Sequence, residues 1–228
     1  MRNPEMWPRM MERYKCDITF APTFAYILTA KRMRASGNKF DLSTVHCDVA
    51  AEPVTKRCMD AMLEMGVPPR NRCSSFGCAE SVVWVATSYH HDGVVTHNGQ
   101  IACGDVAISR RRGSHIVIAD PATMRAVPDD TEGRIFLGGR CLVNGYYDKP
   151  DINAQRFDLT LAGVDGAEDA TGGWYDTQDL GFIHEGHLYV CGRASDLIII
   201  AGRNVFPQDI ERAAEQAHPE AVRTHNSC

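Results

Sequence analysis

The chain has 228 residues, 44% of them hydrophobic and 23% charged, with a formal net charge of -5. That balance is enough to bury a globular core and argues against electrostatic capture of nucleic acid. The longest aliphatic run, Leu197 to Ile200, falls far short of the ~20 apolar residues that span a bilayer. Met1 to Cys16 contain Glu5, Arg9 and Glu12 where a secretory signal would be apolar, so a cytoplasmic or organelle-lumen protein is expected, with the cytoplasm as the first choice. The nine cysteines include no C-x-x-C pair or zinc spacing and read as reduced, mostly buried side chains.

In chain order, Asp17 to Phe20 read as a strand, followed by a helix with Phe24, Ile27, Leu28 and Met33 on one face and its end near Gly37. Val45 to Ala50 predict a second strand. Val54 to Met65 predict a helix with Cys58, Met59, Met62 and Leu63 at helical spacing, stopping at Gly66, and Arg72 to Phe76 predict a third strand. Strand and helix in alternation imply an α/β layer with a parallel sheet, whose ligands gather beyond the carboxyl ends of the strands.

From Ser81 the pattern changes to short β segments, Val82 to Ala86, Ile116 to Ala119, Arg134 to Leu137 and His187 to Val190, separated by Gly, Asp and Pro. These suggest a barrel or sandwich appended to the α/β layer. Arg110 to Arg112 read as a solvated turn between strands, and 161–173 as an acidic surface loop. Beyond Arg193 a buried strand at Leu197 to Ile200, a turn at Gly202 to Pro207 and a helix from Gln208 to about Ala217 are expected. His90, His91 and His97 have a loop composition, and His184 and His187 flank a hairpin turn at Glu185-Gly186, so all five read as structural.

Four clusters carry potential chemistry: Ala50-Ala51-Glu52-Pro53, Ser75-Phe76-Gly77-Cys78-Ala79-Glu80, Trp174-Tyr175-Asp176-Thr177-Gln178-Asp179-Leu180, and Gly192-Arg193-Ala194-Ser195-Asp196. Taken singly, each also fits an ordinary turn, strand end or linker. In this order and spacing they resemble the motif series of the adenylate-forming (acyl-activating, AMP-binding) superfamily. The run from Asp196 to Glu211, which includes Gly202, Arg203 and Asn204, is most similar to the signature of fatty-acyl-AMP ligases and long-chain acyl-CoA synthetases.

The resemblance implies an α/β fold: the later part of a large AMP-binding domain over residues 1–193, with a parallel layer and a β-barrel-like part, then the hinge and first elements of a small α+β domain over 194–228. It implies activation of a fatty or related carboxylic acid with ATP and Mg²⁺ to an acyl-adenylate, and transfer to the thiol of an acyl carrier protein or coenzyme A. Glu80 matches the catalytic, Mg²⁺-side acid of the motif. Ala51, Glu52 and Pro53 match the adenine-side loop, and Ser75, Phe76 and Gly77 the strand end whose aromatic lies against the base. Asp179 and Arg193 match the ribose contacts, and Ser195 the hinge.

Gln178 stands where the motif has glycine, and Ser195 where Asp or Lys is usual. The stretch between Glu80 and Cys103 is short for the insertion of acyl-AMP ligases, which leaves the thiol acceptor open. No Ser/Thr/Gly-rich loop ending in lysine is found, and the lysine near the family's C-terminus is expected beyond Cys228. A non-catalytic truncated fragment that binds nucleotide or a partner is therefore the alternative expectation.

Overall fold

The computed structural model describes residues 3–50, 54–89, 93–164, 173–200, 203–207, 210, 213–214 and 217. The first layer contains α1 (Met6–Tyr14), β1 (Ile18–Ala21), α2 (Thr23–Ser36), β2 (His46–Val49), α3 (Lys56–Glu64), β3 (Arg72–Phe76) and β4 (Ala86–Thr87). Its sheet has the order β1-β2-β3-β4, with β1, β2 and β3 parallel and β4 antiparallel to β3. Helices link the parallel strands because a parallel connection has to cross the sheet.

α2 ends at Gly37, whose φ of 73° suits the left-handed cap. Its buried face differs from the expected one by a part-turn. Ala25, Tyr26, Thr29, Ala30 and Met33 are buried, while Phe24 is 51% exposed. The Tyr26 hydroxyl explains the choice, since it donates to the Asp48 carbonyl at 2.9 Å and an indole–phenol contact with Trp7 closes over it at 5.0 Å. α3 starts at Thr55, whose hydroxyl accepts from the Cys58 amide at 3.2 Å, and packs Cys58, Met59 and Met62 inward. Leu63 faces outward instead of joining them.

The second layer contains β5 (Thr96–His97), β6 (Gln100–Ile101), α4 (Val106–Arg111), β7 (Ser114–Asp120), β8 (Arg125–Ala126), β9 (Gly133–Gly139), α5 (Pro150–Arg156), β10 (Tyr175–His184) and β11 (His187–Arg193). Five of these strands form an antiparallel sheet of order β11-β10-β9-β7-β8, in the place expected for the barrel-like part. Its core, around Ile116, Ile118, Ile135, Leu137 and Leu188, also receives Phe76, Val85 and Ala86 from the first layer. That shared core welds the two layers together.

Four further expectations are corrected. Val82 to Ala86 do not make a strand, because Val82 and Val83 take left-handed φ of 58° and 74° and only Ala86 and Thr87 pair with β3. Arg110 and Arg111 end α4, where cations suit the negative end of the helix, and Arg112 caps it. Arg203 to Val205, assigned to a turn, form β13 against β12 (Ile198–Ile200), and Ile198 is 40% exposed rather than buried. The 165–172 part of the acidic loop, His90 and His91, and most of the helix expected from Gln208 lie outside the described residues.

Every described cysteine is a free thiol, with Cys47, Cys58, Cys73 and Cys103 buried. Among the described residues no helix is long and apolar enough to cross a membrane.

Candidate active site

The site is built where β3 leaves the parallel sheet. Phe76 ends the strand with its ring buried in the shared core, and Gly77 begins a tight loop that brings Glu80 up in a short 3₁₀ turn, Ala79–Ser81. The loop closes on itself: the Val83 amide donates to the Cys78 carbonyl at 2.8 Å and the Val85 amide to the Phe76 carbonyl at 3.0 Å. A side chain at Gly77 would enter the Val83 carbonyl, so the loop can pass this close only over glycine. The Glu80 carbonyl in turn accepts from the Val143 amide at 2.8 Å, which ties the loop to the segment after β9.

Across that segment Tyr146 donates its hydroxyl to Glu80 Oε1 and meets the Tyr175 hydroxyl at 3.2 Å. Asn153 of α5 fixes Tyr146 by accepting from its amide at 2.7 Å and donating to its carbonyl at 2.9 Å. Tyr175 is held by Phe157, with ring centroids 4.6 Å apart, and by the Arg156 guanidinium 5.4 Å above its ring. Burial pushes the half-buried Glu80 carboxyl up, but the hydrogen bond from Tyr146 and smaller ones outweigh it, and the group sits below the usual glutamate value. Glu80 is therefore an ionised carboxylate, and its oxygens suit a hard cation such as Mg²⁺.

Tyr175 begins β10, which also carries Asp176 and Asp179. Between Asp176 and Leu180 the pairing with β9 shifts, and Gln178 takes a left-handed φ of 67°. Glycine takes such a φ without strain, whereas a side chain has to be held there. Gln178 holds the conformation with its own contacts, its amide donating to Asp176 Oδ1 at 2.9 Å and its side-chain nitrogen to Asp176 Oδ2 at 2.7 Å. Asp176 also pairs with Arg134 at 3.0 Å, both side chains largely buried.

The bulge turns Asp179 toward Arg193, its register partner on β11, with 3.1 Å between Oδ1 and Nε. The Asp179 amide is fixed by the Thr177 hydroxyl at 3.0 Å, and that hydroxyl donates to the Ile135 carbonyl at 2.8 Å. Burial raises the Asp179 carboxyl above its ordinary value, Arg193 and then Arg156 draw it back, and Asp176 and Glu80 push it up again. Arg193 itself reaches into solvent, where it could meet a ligand's oxygens. Ser195 follows in an exposed 3₁₀ turn, Ala194–Asp196, with its hydroxyl on Asp196 Oδ1 at 2.9 Å.

Of the residues singled out in the sequence, Glu80, Asp179 and Arg193 are thus linked through β10. Ser75 and Phe76 underlie the site rather than line it. The Ser75 hydroxyl donates to Asp48 Oδ2 at 2.6 Å and receives Trp84 Nε1 at 2.9 Å, while Phe76 is 7% exposed. Ala51, Glu52 and Pro53 lie outside the described residues. Sequence reasoning missed Tyr146 and Asp48. Nothing in the Asn144-Gly145-Tyr146 turn marks a partner for a carboxylate 66 positions away.

The profile of the AMP-binding enzyme family matches residues 1–147. The chain belongs to the AMP-binding enzyme family. The chain is 31% identical to the long-chain-fatty-acid–AMP ligase FadD32 of Mycolicibacterium smegmatis, over 98% of its own length and 41% of the relative's. It is 27% identical to the medium-chain-fatty-acid–[acyl-carrier-protein] ligase JamA of Moorena producens, again over 98% and 41%. A solved structure from a study of fatty acyl-adenylate ligases of E. coli and L. pneumophila superposes with a TM-score of 0.73 at 26% identity, covering 94% of this chain and 41% of that one. The chain thus spans about two fifths of the length of these relatives. Its mixed α/β layers are those of the N-terminal domain of adenylate-forming ligases.

Proposed function

We propose that this chain forms the adenylate-recognising part of an ATP-dependent ligase that activates a fatty or similar carboxylic acid. The acid's carboxylate attacks the α-phosphate of ATP, giving an acyl-adenylate and pyrophosphate, and a thiol of an acyl carrier protein or of coenzyme A then takes the acyl group. The observation that carries this reading is the arrangement along β10, where the Glu80–Tyr146–Tyr175 chain and the Asp179–Arg193 pair share one strand.

In this reading Asp179 accepts hydrogen bonds from the ribose hydroxyls, and Arg193 swings from Asp179 onto the same sugar region. Glu80 would hold Mg²⁺, which when bound would offset charge on the phosphoryl oxygens, and Tyr146 keeps the carboxylate aimed. Ala51, Glu52 and Pro53 border the adenine through backbone, and Phe76 with Ser75 stiffens the floor beneath it. Residues 1–193 belong to the large domain, and Ser195 is the pivot to the small one at 194–228. The free thiols fit a reducing, cytoplasmic setting.

Calorimetric binding of a non-hydrolysable acyl-adenylate analogue tests recognition by this chain, and carboxylate-dependent exchange of pyrophosphate into ATP tests activation in a chain extended to the length of its ligase relatives. Asp179→Ala should weaken analogue binding roughly 10- to 100-fold, the equivalent of about 1.5–3 kcal/mol for lost hydrogen bonds to a charged group. Glu80→Gln should lower exchange by about 100-fold or more while leaving the fold intact. Analogue binding unchanged by Asp179→Ala, or exchange unchanged by Glu80→Gln, would sink the assignment. Gln178 in a glycine position favours a second reading, a non-catalytic nucleotide binder. That reading expects analogue binding with no exchange for any acid.

A further inference from the structure

We propose that His97, Asp130 and His184 form a binding site for a borderline divalent transition-metal ion, of which Zn²⁺ is the best fit. The inference is independent of the ligase reading. It concerns the far end of β10, five residues from Asp179 and about 17 Å along an extended strand.

The three residues come from three separate parts of the chain. His97 closes β5 at the tip of the β5–β6 hairpin, Asp130 follows β8, and His184 ends β10 at the Glu185-Gly186 turn. Backbone holds the second to the third: the Asp130 amide donates to the Ile183 carbonyl at 2.8 Å. One possible ligand atom from each residue lies within 4.8 Å of the other two, and among the described residues no other group of three His, Cys, Asp or Glu side chains does this. His184 Nδ1 and Asp130 Oδ1 are 2.5 Å apart, and the two imidazole centroids are 3.6 Å apart with a 32° tilt.

The imidazoles stand on a prepared floor. Tyr189 meets the edges of both, with centroids 6.0 Å from His97 and 6.3 Å from His184, and Phe182 stacks on Tyr189 at 5.0 Å and 5°. Such packing limits the directions in which the rings can point, as outer partners do around metal-binding histidines. The Asn98 side chain, 2.9 Å from His97 Nε2, holds that ring from the other side.

The donor set selects the ion. Two imidazole nitrogens and one carboxylate oxygen suit zinc, cobalt or nickel, whereas Mg²⁺ and Ca²⁺ take oxygen ligands. Ligand atoms bound about 2.0–2.1 Å from a tetrahedral zinc ion lie about 3.3 Å from one another, a spacing between the 2.5 Å of the His184–Asp130 contact and the 4.8 Å within which all three ligand atoms fall. Zinc would enter between His184 and Asp130, replacing their direct contact, and the rings would fan apart to face it. Water completes the shell. The bound ion would clamp the β5–β6 hairpin, the loop after β8 and the β10–β11 turn to one another.

The test is titration of the metal-free 228-residue protein with Zn²⁺ by calorimetry and with Co²⁺ by absorption spectroscopy. The expected result is one ion per chain with a Kd of about 10 µM or tighter. Zinc should raise the melting temperature. The cobalt spectrum should show tetrahedral d–d bands without thiolate-to-cobalt charge transfer, which separates this site from binding by cysteines. His97→Gln, His184→Gln and Asp130→Asn should each weaken binding about tenfold or more, with circular dichroism confirming an unchanged fold. Asp130 is mostly exposed, so Asp130→Asn still decides the matter if a histidine variant fails to fold. Absence of saturable binding, a thiolate charge-transfer band, or an affinity unchanged by the substitutions would overturn the proposal.

Discussion

Replacing Gly77 with alanine should damage stability and nucleotide recognition together. The constraint at Gly77 is space: an added Cβ would lie 1.5 Å from the Val83 carbonyl oxygen and 2.5 Å from its carbon. Real contacts of this kind essentially never fall below 3.0 Å, so the carbonyl must retreat by about 1.5 Å. Val83 cannot retreat freely, because its amide is bonded to the Cys78 carbonyl and its φ is 74°. Overpacking of about 1–3 kcal/mol plus about 1 kcal/mol for a lost backbone hydrogen bond gives roughly 2–4 kcal/mol. Glu80 lies inside the displaced segment and should lose its alignment with Tyr146. Urea unfolding followed by circular dichroism measures the first effect, and calorimetry with the acyl-adenylate analogue the second. Gly99→Ala is the control, since its Cβ meets nothing within 4 Å and only its φ of 78° is strained, at about 1–2 kcal/mol. A Gly77→Ala protein within about 0.5 kcal/mol of the parent would refute the steric argument.

Substitutions at two other positions probe the frame of the site. Gln178→Gly should change stability by less than about 1 kcal/mol, because relief of the left-handed strain offsets the lost bond to Asp176 and the added chain entropy. Gln178→Val, which loses the bond and adds a β-branch, should cost about 2–3 kcal/mol by thermal melt, and a parent-like melt would contradict this. Burial pushes the Asp48 carboxyl from 3.8 up to about 6. The folded state therefore holds this proton where the unfolded chain has released it, and stability falls as pH rises through that window, by an amount on the order of 3 kcal/mol. Asp48→Asn should remove that loss, so its advantage over the parent should grow by about 1–2 kcal/mol between about pH 5 and pH 8. An advantage that is constant with pH would show that Asp48 is not the group responsible.

Much of this architecture is legible in the sequence because local signals and tertiary packing agree. Arg72 to Phe76 form a strand as expected, and Gly37 ends α2 where a glycine cap predicts. Val82 and Val83 mislead because valine normally favours extended backbone, yet here the loop under Glu80 forces both into left-handed φ. Glu80 is singled out by its motif, but the hydroxyl that donates to it is not. Tyr146 reaches it only through the turn fixed by Asn153. His97, Asp130 and His184 are invisible for the same reason, since no periodicity joins them and the hairpin ends meet only in three dimensions.

The register of β10 sets how this part of the protein can change over generations. Tyr175 and Asp176 face Leu137 and Phe136, but Leu180 and Gly181 face Arg134 and Gly133, so β10 carries two more residues than β9 over the same span. An even surplus leaves the in-and-out alternation intact on both sides of the bulge. Loss or gain of one residue between Asp176 and Leu180 would invert every side chain on one side, exchanging core positions for solvent-facing ones. The segment can drift by substitution, as the glutamine at 178 illustrates, but a change of length survives only in steps of two.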